Sequence, residues 1–221
     1  MAPRTVDEIE DLLDSSFAWR RVELQALGAA IADAERSSPN TPLTRALARS
    51  GVALLYAHWE GFFKDACQAY VDYVAKRRLL YSELNDGFLR TVMMALGKRA
   101  ATGDEAGLAV LFESIREPEK SRARIPKNTI VDTKSNLRYV VLVEIMRAIG
   151  FPYDHFATKN NLIDKTLCDG RNSIAHGRDY FPASGSFVDL HAEVLEMMED
   201  LRSVIMSNVR TEQYKRSSSG K

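Results

Sequence analysis

Hydrophobic positions recur along this chain at steps of three, four and seven almost from end to end, and nowhere alternate for long enough to build a sheet. Val6, Ile9, Leu13, Phe17, Leu24, Leu27 and Ile31 line one face of a helix predicted over residues 5–36. The run Ser37-Ser38-Pro39-Asn40-Thr41-Pro42 ends it, because two prolines remove amide donors and short polar side chains compete for backbone hydrogen bonds. A second long helix over 43–78 carries Val52, Leu55, Trp59, Phe62, Ala66, Tyr70 and Tyr73, so aromatics supply most of its apolar surface. Weaker patterns predict helices over 82–101 and 104–116. Leu137, Val140, Val141, Ile145 and Ile149, closed by Gly150 and Pro152, predict another over 136–149. Ile163, Leu167, Gly170 and Ile174 face inward on a helix over 158–175, and Val188, Leu195, Met198, Leu201 and Ile205 do so over 187–208. About seven helices without strands define an all-α fold, a single-domain antiparallel helical bundle over 1–209 followed by a flexible tail over 210–221.

One stretch interrupts the pattern. Between Pro118 and Pro126, and on to Asn136, apolar periodicity disappears and basic residues accumulate. From Arg116 to Arg138 seven basic residues face three acidic ones, a local excess of four in a chain whose 30 Lys+Arg and 30 Asp+Glu otherwise cancel. Zero net charge removes bulk electrostatic steering toward phosphates, so any nucleic-acid contact must come from local charge such as this loop over 117–136.

Composition changes the picture little. With 221 residues and 45% hydrophobic content the chain can bury a core, which excludes wholesale disorder. Its longest apolar stretches, 52–57 and 139–143, fall far short of the ~18 to 20 residues that span a bilayer. The first residues lack a basic segment followed by an apolar one, so a cytoplasmic protein without membrane contact is expected. Cys67 and Cys168 have neither CxxC nor Cys/His spacing and are read as unpaired helix residues.

His58, His155, His176 and His191 make no HxxxH or HExxH pair, and there is no GxxxxGK[ST] loop, GxGxxG turn or GxSxG elbow. No metal or other cofactor is therefore expected. What remains is Asp169-Gly-Arg-Asn-Ser-Ile-Ala-His-Gly-Arg178, with Arg171 and His176 in an Arg-x4-His arrangement. Chance supplies about one such match in a chain with 20 Arg and four His, so context has to decide. On an ideal helix Asn172 and His176 lie about 40° apart and can meet, whereas Arg171 and His176 lie about 140° apart and cannot. Either the helix ends near His176, with Gly177 in the left-handed conformation, or two copies of the chain gather the motif across a twofold axis. A neutral imidazole can take the 2′-hydroxyl proton of RNA, and a guanidinium can neutralise the phosphorane that follows. The bland alternative is a surface salt bridge from Arg171 to Asp169 and a helix-capping His176.

At these residues the sequence resembles the HEPN superfamily, small all-α domains marked by Arg-x4-6-His with a polar residue after the Arg, as in Arg171-Asn172-Ser-Ile-Ala-His176. The stretch Leu54-Leu-Tyr-Ala-His-Trp-Glu-Gly-Phe-Phe-Lys64 is similar to the long early helix of its MAE-type bacterial branch. The resemblance spans about 5–210. It implies a homodimer that places both Arg/His pairs in one cleft, and metal-independent endoribonuclease activity in toxin or anti-phage defence systems, leaving a 2′,3′-cyclic phosphate and a 5′-hydroxyl. Arg171 and His176 would be catalytic and Asn172 would orient the cleft. A cognate antitoxin or defence partner is implied. Some toxins of the superfamily carry a modifiable Tyr two residues after the His, where this chain has Arg178. Lys165, Arg178, Arg122, Arg124 and Lys127 are the residues expected to contact the RNA substrate. His58 is read as structural and Glu60 as the partner of a buried or interfacial cation. The alternative function is a non-catalytic HEPN-like module that binds nucleotide, RNA or protein.

Overall fold

The computed structural model describes residues 2–183 and 185–217. Seven α-helices form in the order α1 (Val6–Ser37), α2 (Pro42–Arg77), α3 (Asp86–Ala101), α4 (Glu105–Arg116), α5 (Tyr139–Ala148), α6 (Gly170–Ala175) and α7 (Ser186–Arg210), and among the described residues there is no strand. The bundle is all-α, as the periodicity predicts. No described helix is long and apolar enough to cross a membrane.

Local chemistry sets the boundaries. Thr5 and Glu8 close a reciprocal capping box at α1, and Thr41 caps α2 with Pro42 in its first turn. Asn85 caps α3 through the Phe88 amide at 2.9 Å, so that helix starts four residues later than the pattern suggests, after a 3₁₀ turn over Tyr81–Glu83.

Helix α2 is the central element, packed on α1, α7, α6 and the residues leading into α6. The expected stripe is buried, but so are Tyr56, His58, Phe63, Cys67, Val71 and Val74 on its other sides, as a helix covered all round requires. In α1 the stripe contains one unexpected member, Arg20, at 6% exposure, whose guanidinium donates to the Asp65 carboxylate at 2.7 Å and to Ser16. In α7 the inward face turns out to be Phe187, Leu190, Val194, Met197, Met198, Leu201 and Ile205, leaving Val188 exposed. Val140 likewise points outward from α5.

Three further expectations change. The helix expected over 158–175 is not one α-helix: a 3₁₀ turn over Asp154–Lys159 leads into a π-helix over Leu162–Asp169, and only Gly170–Ala175 is α. Hydrogen bonding from i to i+5 winds this segment more loosely than the 3.6 residues per turn that would set Cys168 beside Lys165 on a polar face, and Cys168 is fully buried. Second, the tail predicted from residue 210 is docked as far as Arg216. The buried Tyr214 meets Tyr73 edge-on at 5.9 Å, its carbonyl accepts from the Asn85 amide, and the Arg216 amide donates to Glu83. Residues 218–221 of that tail lie outside the described residues. Third, the loop over 117–136 is anchored rather than free, with Ile130, Val131 and Thr133 buried and backbone bonds from Tyr81 to Ser121 and from Ala123 to Leu79. Its charge is largely compensated: Lys120, Lys127, Lys134 and Arg138 pair with Glu117, Asp72, Glu144 and Asp169.

Candidate functional site

The Arg-x4-His segment faces the middle of α2. Tyr56 and Glu60, four residues apart, share one face of that helix, and Arg171 from α6 lies against both. The Arg171 guanidinium carbon sits 4.5 Å above the Tyr56 ring centroid, and Nη2 is 3.7 Å from Glu60 Oε2. Nη1 donates to Asn172 Oδ1 at 2.9 Å and Nη2 to the Ser135 carbonyl at 3.3 Å. Arg171 is 28% exposed, so one side of the guanidinium is gripped by protein while the rest meets solvent. Glu60 thus has the cationic partner expected of it.

Tyr56 is itself fixed from behind. Its hydroxyl accepts from the Leu137 amide at 2.8 Å, and burial pushes the phenol well above its usual range, so it stays neutral. Cys168 lies 3.4 Å from the Leu137 carbonyl, and burial raises its thiol to about 11, which makes it inert packing and not a nucleophile.

Asp169 does not pair with Arg171. Its carboxylate accepts from Arg138 at 2.6 Å and lies 3.6 Å from Lys165, and the Arg138 hydrogen bond holds its pKa below the usual carboxylate value. With Tyr139 bonded through its amide to Asp164, this ties the end of the loop to the π-helix and leaves Arg171 for α2.

α6 ends as its glycine demands. The Gly177 amide donates to the Ile174 carbonyl and the Arg178 amide to Ser173, with Gly177 at φ +66°, a Schellman closure. His176 is the C-cap residue, exposed, with no side-chain partner among the described residues. The chain then folds back: Tyr180 brings its hydroxyl over Gly170, where a Cβ would come within 3.0 Å, and Arg49 of α2 donates to the carbonyls of Arg178 and Tyr180.

Of the residues expected to meet RNA, Arg178 follows this turn directly, and Lys165 lies on the π-helix beside Asp169. Arg122, Arg124 and Lys127 do not join them. Arg122 donates to the Arg78 carbonyl at the end of α2, about 27 Å of helix rise beyond Glu60, and Lys127 pairs with Asp72, about 18 Å beyond it.

His58 packs behind the site. Its Nε2 lies 2.9 Å from Glu23, its ring meets Trp19 edge-on, and burial lowers its pKa despite the carboxylate. Gly61 leaves room for Arg20, whose Nη2 would stand 3.3 Å from a Cβ there. The Tyr-Ala-His-Trp-Glu-Gly-Phe-Phe motif is therefore the scaffold that seats Arg171 on one side of α2 and α1 on another. Sequence reasoning missed Arg45, Arg49 and Phe181, although the four-residue spacing of the two arginines was visible.

No curated protein and no solved structure matches the chain. Residues 15–207 match the family model described as RiboL-PSP-HEPN. That match covers the Arg171–His176 segment and the α2 face on which it rests, and the chain belongs to the HEPN family.

Proposed function

We propose that the protein is a metal-independent endoribonuclease acting through Arg171 and His176. The observation that carries this reading is the seating of Arg171 on Tyr56 and Glu60, one turn before a solvent-facing His176. Arg171 uses two of its five N–H groups on Asn172 and Ser135 and holds Nη2 toward Glu60, leaving Nε–H and one Nη1–H for phosphate oxygens. A guanidinium carries a delocalised positive charge that can bond two phosphate oxygens at once, which suits the phosphorane formed when a 2′-oxygen attacks phosphorus. His176 takes the 2′-hydroxyl proton as the P–O2′ bond forms, a protonated imidazole gives a proton to O5′ as the P–O5′ bond breaks, and a 2′,3′-cyclic phosphate and a 5′-hydroxyl result. In-line attack puts O2′ and O5′ on opposite sides of phosphorus, beyond the reach of one imidazole. A second copy of the chain, supplying a second His176, meets that need, so we read the active species as a homodimer.

Single-stranded RNA incubated with the purified protein in EDTA is expected to be cut, with cyclic-phosphate ends. Arg171→Ala and His176→Ala should each abolish cutting with helicity unchanged; activity surviving both changes would refute the assignment. We further propose a toxin or anti-phage effector role, and growth arrest on expression that His176→Ala relieves is its test. One observation favours a non-catalytic RNA- or nucleotide-binding module instead: among the described residues no side chain orients the His176 ring. Binding of RNA without cleavage at any pH would support that reading.

A further inference from the structure

A second group of cations lies on the same face of α2, toward its N-terminus. Phe181 is 40% exposed, and two guanidinium groups rest on its ring, Arg45 at 3.7 Å and Arg49 at 4.9 Å from the centroid. An exposed phenylalanine holding two arginines is ordered without being buried. Among the described residues neither Arg45 nor Arg49 forms an ion pair, although most of the loop cations do; Asp179, the neighbouring carboxylate, is exposed and pairs with neither.

The cluster is joined to the Arg171 site by structure. Arg49 fixes the carbonyls of Arg178 and Tyr180, and Tyr180 reaches Gly170, the residue before Arg171. Along α2, Arg49 and Tyr56 are separated by about 10 Å of rise, the length of about three stacked nucleotides. On this face the positions between Arg49 and Glu60 are the small Ala53, half-buried, and Ala57, exposed, with exposed Ser50 and half-buried Leu54 further round the helix, so α2 puts no bulky side chain in the path.

We propose that Arg45, Arg49 and Phe181 form a subsite for single-stranded RNA beside the scissile phosphate, with one base stacked on Phe181 and the adjoining phosphate held by the arginines. Uncompensated cations around an exposed aromatic ring are what unpaired nucleotides recognise: every base has a π-face, and duplex RNA hides its own. The subsite takes its substrate class from the ribonuclease reading, yet its binding can be measured apart from catalysis.

The test uses the full chain and a fluorescein-labelled 2′-O-methyl oligoadenylate dodecamer, which lacks the attacking hydroxyl. Phe181→Leu keeps an apolar anchor and loses the aromatic face; Arg45→Ala removes a side chain that bonds nothing else. Each is expected to weaken binding by about tenfold, and Arg45→Ala to flatten the dependence of log affinity on log salt by about 0.7. With cleavable RNA both should raise KM and leave kcat unchanged. Wild type and both variants binding equally, or wild type not binding at all, overturns the subsite. So does a loss confined to Arg45→Ala, which would leave only a phosphate contact. Weakened binding in both variants supports it even where the wild type cuts nothing, an outcome that refutes the ribonuclease reading alone. Matching melting temperatures confirm that Phe181→Leu folds.

Discussion

The Arg171 guanidinium lies 4.5 Å above the ring of Tyr56, and the hydroxyl of that same ring accepts the Leu137 amide at 2.8 Å. One side chain therefore serves as platform on one face and as loop anchor at its tip. The two roles separate by substitution. Tyr56→Phe leaves a buried amide unpaired and should cost about 1–3 kcal/mol, lowering the melting temperature by several degrees, while the ring still seats Arg171 and most RNA cleavage survives. Tyr56→Leu removes both and should lose stability and cleavage together. Thermal melts and single-turnover cleavage of the two variants check this.

Glu60 tests how Arg171 is held. Its carboxylate is 3.7 Å from Nη2 and would also repel an incoming phosphate. Glu60→Gln keeps the volume and removes the charge, so kcat is expected to fall by about tenfold as Arg171 loses its orientation, while KM falls or holds. A rise in KM with unchanged kcat would show that Glu60 does not position Arg171.

How much of this could be read beforehand depends on the range of the interaction. Gly177 closing α6 was legible because a Schellman turn is decided by a few neighbouring residues. The two motifs were legible as well, but not that Tyr56 and Glu60 grip Arg171, since helical periodicity marks which face is buried without naming what lies on it. A wheel drawn at 3.6 residues per turn puts Cys168 on the polar side of its helix, and the π-helix over Leu162–Asp169 turns it inward. Tyr214 is one aromatic in a polar segment, which has no period to report its docking. Phe181 meets Arg45 and Arg49 only through the fold, across more than a hundred residues.

Gly177→Ala isolates the turn. A Cβ there would meet nothing within 4 Å, so the whole effect comes from forcing φ +66° on an L-residue. A loss of about 1 kcal/mol, or a few degrees in melting temperature, is expected. Cleavage should fall further than stability does, because the residue that swings with the turn is His176. Asn at this position should recover most of both.

His58 and His191 make stability depend on pH. Burial lowers both pKa values, with the Glu23 carboxylate partly opposing this at His58. The unfolded chain binds protons that the folded one refuses, so their contribution is present above about pH 6.5 and is lost as pH falls below it. His191 also buries an Nε2 that has no partner among the described residues, while its ring stacks on Phe187. His191→Phe is expected to keep or raise the melting temperature at pH 7 and to reduce its decline between pH 7 and 5. A decline as steep as in the wild type would assign the effect to other groups.

The last expectation concerns a carboxylate kept away from the site. Asp169 stands two residues before Arg171 and is occupied by Arg138 at 2.6 Å, with Lys165 at 3.6 Å. Arg138→Met removes the shorter contact and touches neither Arg171 nor His176. The released carboxylate, left with a single exposed lysine, then becomes a competitor for the Arg171 guanidinium and a repulsive charge beside bound phosphate. Cleavage should fall by about tenfold or more, since a misplaced catalytic group costs on that scale. If competition is the cause, the double change Arg138→Met with Asp169→Asn should restore most of the activity, because it deletes the competitor along with its guard. If the clamp matters only by tying the Ser135 loop to the π-helix, the double variant should be as poor as the single one. Cleavage rates of the wild type, the two single variants and the double variant form a closed cycle that distinguishes the two.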